Sequence, residues 1–317
     1  MKRSLGIIIL MAMFVFSGAV FAGEQEDLAL IKAAGDGDSV QVKALLDNGA
    51  SVKAKSGDGI TALMWAAGKG HKDIAELLIT KGAAVNAKTN KGGTALMSAA
   101  AAGLKEIVGL LISKGADVKA KTTTGVTALM SASAAGHKEV VELLLAKGAD
   151  AKAKTANGTT ALMSAAMYGH KDVAEMLISS GADVNASDKD GFTALMAAIQ
   201  EGNITVAELL INKRANVNSK DATGNTALML SSMYGQNDIA KMLIDKGAEV
   251  NALENGSGGT ALMIAAQRGH KEIVALLVAS GADIDAKDNT GMTARMIAAK
   301  EKKTDIEQLL VKAGAKE

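Results

Sequence analysis

Apolar and polar positions follow one frame along most of the chain. From Thr61, the run Ala62-Leu63-Met64 is followed by Ala66-Ala67 and then by the polar turn Lys69-Gly70-His71. Ile74, Leu77, Leu78 and Ile79 come next, an apolar stripe at helical spacing interleaved with Lys72, Asp73 and Glu76. The pattern predicts a short first helix over Ala62 to Lys69, capped at its start by the Thr61 hydroxyl. It predicts a second helix over Lys72 to Lys81. Gly82 stands where a helix closes through a residue of positive φ, and residues 83–93 lead through a turn-rich finger to the next Thr.

The frame repeats. Thr-Ala-Leu-Met begins at Thr61, Thr94, Thr127, Thr160, Thr193, Thr226 and Thr260, and returns altered as Thr293-Ala294-Arg295-Met296. Successive copies are 33 residues apart, except that Thr226 to Thr260 is 34. A fixed period of this length means a stacked array in which no unit buries its stripe alone. The units are 61–93, 94–126, 127–159, 160–192, 193–225, 226–259 and 260–292, with capping repeats at 23–60 and 293–317. In the last, Lys300, Glu301, Lys302 and Lys303 replace small or turn residues with charge, as a terminal repeat needs. The expected fold class is an all-α repeat solenoid: helix-turn-helix repeats with β-turn fingers, about nine including the caps.

Composition narrows the chemistry. Hydrophobic content is 48% but aromatics are 2%, so Leu, Ile, Val, Ala and Met must build the core. No Cys is present, which excludes disulfides and thiolate metal sites. A formal charge of +1 argues against a nucleic-acid binder that relies on a basic surface. Residues 1–22 fall outside the frame. Lys2 and Arg3 precede an uncharged apolar run from Leu5 to Phe16, and Val20-Phe21-Ala22 precede the acidic Glu24, Glu26 and Asp27. This reads as a secretory signal peptide cut after Ala22, with retention as a membrane anchor the competing reading. It places the mature chain in a periplasm, or alternatively outside the cell.

Thr160-Ala161-Leu162-Met163-Ser164-Ala165-Ala166, Gly169-His170, Val173, Met176-Leu177 and Gly181-Ala182-Asp183-Val184-Asn185 resemble the ankyrin repeat, whose pattern runs Thr-Pro-Leu-His-x-Ala-Ala, Gly-His, Val-x-x-Leu-Leu, Gly-Ala-Asp-Val-Asn. The resemblance covers residues 28–317. It departs in two columns: the Pro is Ala, and the His is Met in all eight copies. The Met column reads as core packing. Arg214 stands in a closing-Gly position, and Gly256 to Gly259 hold the extra residue of the longer repeat. Both lie in the C-terminal half, which is expected to unfold first.

No nucleophile elbow, phosphate loop or metalloprotease helix occurs, so no catalytic residue, cofactor or metal is expected. His71, His137, His170 and His270 share one repeat position and read as turn hydrogen bonds rather than ligands. Trp65 reads as packing. The resemblance implies recognition of a protein partner along a concave side built from fingers and the ends of the first helices. On that surface Met167, Tyr168, Phe192, Met233 and Tyr234 fall on successive repeats, with Asp190, Glu201 and Arg268 beside them. Exposed aromatic and Met groups are binding hot-spot material; Phe192 and the Mets could equally fill gaps between fingers. The expected protein is a monomeric, non-enzymatic scaffold for an unidentified protein partner, with no nucleic acid and no membrane contact beyond the leader. A secreted effector acting on host proteins is the alternative.

Overall fold

The structure, a computed structural model, describes residues 23–316; the predicted signal peptide lies outside the described residues. Among them the chain is all-helical, with 18 helices in pairs and no strand. It divides into two compact units, one ending at Asp150 and one beginning at Ala151.

In the first unit, a helix over 23–36 (α1) pairs with α2 (Ser39–Asp47). Three further pairs follow: α3 (Ala62–Lys69) with α4 (Lys72–Thr80), α5 (Ala95–Ala101) with α6 (Lys105–Ser113), and α7 (Ala128–Ala134) with α8 (Lys138–Ala146). The second unit holds five pairs. Its first helices are α9 (Ala161–Met167), α11 (Ala194–Gln200), α13 (Ala227–Tyr234), α15 (Ala261–Arg268) and α17 (Ala294–Lys300). Its second helices are α10 (Lys171–Ser179), α12 (Ile204–Asn212), α14 (Asn237–Asp245), α16 (Lys271–Ala279) and α18 (Thr304–Lys312). Within each unit, first helices pack on first helices and second on second.

From α3 on, each first helix starts at its Thr because the Thr hydroxyl accepts from the Met N–H three residues on, as from Met64 at 3.2 Å and Met163 at 3.2 Å. The Thr61 N–H in turn donates to Met64 Sδ at 3.4 Å, so the Met that replaces the family His also helps close the cap. The Leu and Met columns are core: Leu63, Leu96, Leu129, Leu162, Leu195, Leu228 and Leu262 are each 1% exposed, and the Met beside each is buried. Met296 is the exception at 37% exposed. No repeat follows its own among the described residues, so one wall of its site is missing.

Three ladders join consecutive repeats inside each unit. The first uses the residue after the turn Gly. His71 Nε2 lies 3.1 Å from Gly35 O, His137 Nε2 lies 3.0 Å from Ala101 O, and Gln236 Nε2 donates to Ile199 O at 2.6 Å. These side chains make no cap for their own helices; they reach back to the preceding repeat. The expected turn hydrogen bond is therefore an inter-repeat bond in His71 and His137. The second ladder is the Asn closing Gly-Ala-Asp-Val-Asn. Asn86 donates to Gly115 O at 2.8 Å and accepts from Asp117 N–H at 2.8 Å, and Asn218 and Asn251 do the same to their own neighbours. The third joins finger backbones: Asn90 N–H to Asp58 O at 3.0 Å, Lys189 N–H to Asn157 O at 2.8 Å, Ala222 N–H to Asp190 O at 2.7 Å.

Arg214 takes φ 65°, as its closing-Gly position requires, and Lys302 takes φ 57° at a turn-Gly position. In the longer repeat, the Glu254 carboxylate accepts from Gly256 N–H at 2.9 Å and from Ser257 N–H. Hydrogen bonding from Ser257, then from the Gly256 backbone, holds the Glu254 carboxyl below its ordinary range. With the folded value lowered, this tie stabilises the finger above the unfolded carboxylate value and is lost as pH falls through the lowered one.

Candidate protein-interaction surface

All eight predicted contact residues lie in the second unit, at first-helix ends and on a finger. Met167 closes α9 and Tyr168 is its C-cap. Met233 and Tyr234 end α13, and Gly235 follows with φ 71°. The two pairs hold one repeat position, seven and eight residues after the repeat Thr. Both helix ends are tied from behind: Met167 O accepts from Asn203 Nδ2 at 2.8 Å, and His270 Nε2 lies 3.3 Å from Met233 O. Their backbones are fixed while the side chains face water. Tyr168 is 60% exposed, Tyr234 45% and Met167 38%. Met233 is half-buried, so it both packs and presents an edge.

Glu201, C-cap of α11, and Arg268, last residue of α15, occupy the same column on the intervening and following repeats, and both are exposed. Gln200 Nε2 donates to Glu201 Oε1 at 3.2 Å. Among the described residues no carboxylate pairs with Arg268. The column thus reads Tyr168, Glu201, Tyr234, Arg268 along packed first helices.

Phe192 and Asp190 belong to a finger. Asp188 Oδ1 accepts from Asp190 N–H at 3.0 Å and from Phe192 N–H at 2.9 Å, which sets the turn. Asp190 is exposed and Phe192 half-buried. The structure therefore puts Phe192 nearer the gap-filling role than the tyrosines.

Trp65 packs only in part. Its ring stands close to Gly35, yet it stays 40% exposed, and the Lys69 ammonium lies 5.7 Å from its ring centroid. It separates two grooves of the first unit, about 430 Å³ beside Leu28, Ile31 and Gly35 and about 370 Å³ beside Ile60, Gly68 and Gly93. The column alone did not signal this: Ser98, Ser131 and Ser164 fill the equivalent places half-exposed, whereas Ala197 and Leu230 are buried there.

Among the described residues no group of three His, Asp or Glu side chains is placed to hold a metal ion. No helix among them is long and apolar enough to cross a membrane.

Paired helices in a 33-residue frame, stitched through turns and fingers, define a repeat scaffold. The chain belongs to the ankyrin-repeat family: the family model described as "Ankyrin repeats (3 copies)" matches residues 30–122, 119–188, 182–254 and 251–317. Repeats of this family generally act as protein–protein interaction modules without catalysis. Comparison with curated proteins returned no match.

Proposed function

We propose that this chain is an exported, non-catalytic scaffold that holds a protein partner on the face of its second unit bearing Tyr168 and Tyr234. The observation that carries the reading is the pairing of rigid backbone with exposed aromatic surface. Two tyrosines, both of those in the chain, stand at one repeat position at helix ends pinned by the next repeat. A backbone already held in place needs no further ordering on binding, and Tyr is enriched at binding hot spots. The equivalent places in the first unit hold Lys69, Ala102 and Ala135, so that row offers no comparable anchor.

The leader-like residues 1–22 support a periplasmic location, and the absence of Cys is compatible with an oxidising compartment. The chain acts as a monomer in this reading, because charged Lys300, Glu301, Lys302 and Lys303 do not favour end-to-end stacking.

The test is the double substitution Tyr168→Ala with Tyr234→Ala. Its side chains are solvent-facing, so the thermal midpoint should stay close to that of the parent. Affinity for partners captured from a periplasmic extract should fall by two orders of magnitude or so, roughly 1–2 kcal/mol for each aromatic anchor removed. Capture at parental strength would remove the proposal.

A further inference from the structure

The column that ends the first helices alternates in chemistry. Tyr168, Glu201, Tyr234 and Arg268 each lie eight residues after their repeat Thr, and each is exposed. The first helices that carry them pack side by side in order, α9 on α11, α11 on α13 and α13 on α15. Packed helix axes lie roughly 8–10 Å apart. The rungs therefore recur at about that interval. An extended chain advances about 3.3 Å per residue, so it meets one rung every third residue or so.

Resting on the interaction face proposed above, we infer that the partner is an extended segment whose side chains run apolar, basic, apolar, acidic at every third position. The apolar groups lie on Tyr168 and Tyr234. The basic group faces Glu201 between them, and the acidic group faces Arg268. A uniformly apolar segment would strip water from Glu201 and Arg268 without replacing it, which costs more than the extra apolar contact returns. A uniformly charged segment would leave both rings without cover. Charge order along a surface fixes register and partner choice more than it adds affinity. Glu201 is available for this: its carboxylate meets only the neutral Gln200 amide among the described residues. Arg268 has no ion pair among them. The four alternating groups lie in a single column, beside the exposed Met167, Gln200 and Gln267, and a strand can follow one column; a helix is about 10 Å across.

The experiment uses the full chain and labelled synthetic peptides read by fluorescence anisotropy. The first peptide has the order Leu-x-x-Lys-x-x-Leu-x-x-Glu with Ser at x, made in both chain directions. The second has Lys and Glu exchanged. A third is a helical peptide with the same four groups at seven-residue spacing. The matched strand, in its better direction, should bind about tenfold more tightly than the exchanged one, because two attractive contacts become two repulsive ones. In the double variant Glu201→Lys with Arg268→Glu, the preference should invert by a similar factor. Equal affinity for the two strands, no binding of either at millimolar concentration, tighter binding of the helical peptide, or an unchanged preference in the double variant would each overturn the register. The two ideas separate cleanly. If the tyrosine variant loses its natural partner while the charge-reversed variant keeps it, the face stands and this register falls. If the tyrosine variant keeps its partner while the strands discriminate as stated, the register stands as a property of the row and the face proposal falls.

Discussion

Leu195→Ala should lower the unfolding free energy of the second unit by about 3–4 kcal/mol. Leu195 is 1% exposed on α11, which packs between α9 and α13. Leu162 and Leu228 stand in the same column on those neighbours and are each 1% exposed. A cavity there weakens two interfaces at once, and in a repeat array stability is close to a sum of repeat and interface contributions. The loss should exceed that of a truncation on one exposed surface. Val311→Ala is the comparison: Val311 is 47% exposed on α18, so its cost should stay within about 0.5 kcal/mol. Urea denaturation followed by helical circular dichroism gives both numbers. Equal, small losses at the two positions would mean that the Leu column does not hold the stack.

Gly158→Ala should cost about 3 kcal/mol, and the reason differs. Gly158 takes φ 90°, where an L side chain meets strain of about 1–2 kcal/mol. An added Cβ would also lie 2.7 Å from Asp188 Cα and 3.1 Å from Asp188 C. Those atoms are backbone and cannot swing aside. Moving them would disturb the bond from Lys189 N–H to Asn157 O, which ties one finger to the next. Gly181→Ala isolates the effect. Gly181 has φ 88°, but an added Cβ would have no neighbouring atom within 4 Å, so it meets the strain alone. Denaturation midpoints should place Gly158→Ala well below Gly181→Ala. Matching midpoints would show that the fingers are free of one another.

Most of the architecture was legible because each repeat states it again. The Thr caps, the Leu and Met columns and the positive φ of Arg214 all follow from position within one repeat. What periodicity hides is the offset between repeats. The bond from the His71 slot runs 36 residues back, more than one period, so no reading of a single repeat reveals its acceptor. The same blindness hid the exposed face of Trp65. Its helical position suggested packing, whereas exposure depends on how the neighbouring first helix lies across it. Met296 matches its column in sequence yet is 37% exposed, because burial there is supplied by a neighbour and not by the residue. On the candidate surface the tyrosines were legible as unusual residues in a small-residue column. That Met167 and Met233 carbonyls are anchored by Asn203 and His270 was not, since those partners lie in the next repeat.

If partners meet the second unit at the tyrosine column, site-specific photo-crosslinking in intact cells should capture them there. A photoreactive residue replaces Tyr168 or Tyr234 in one set of cells, and exposed Lys213, at the end of the second helix α12, in another. One discrete adduct is expected, the same from both tyrosine positions and missing from position 213. Adducts of equal yield from all three positions, or from position 213 alone, would contradict it.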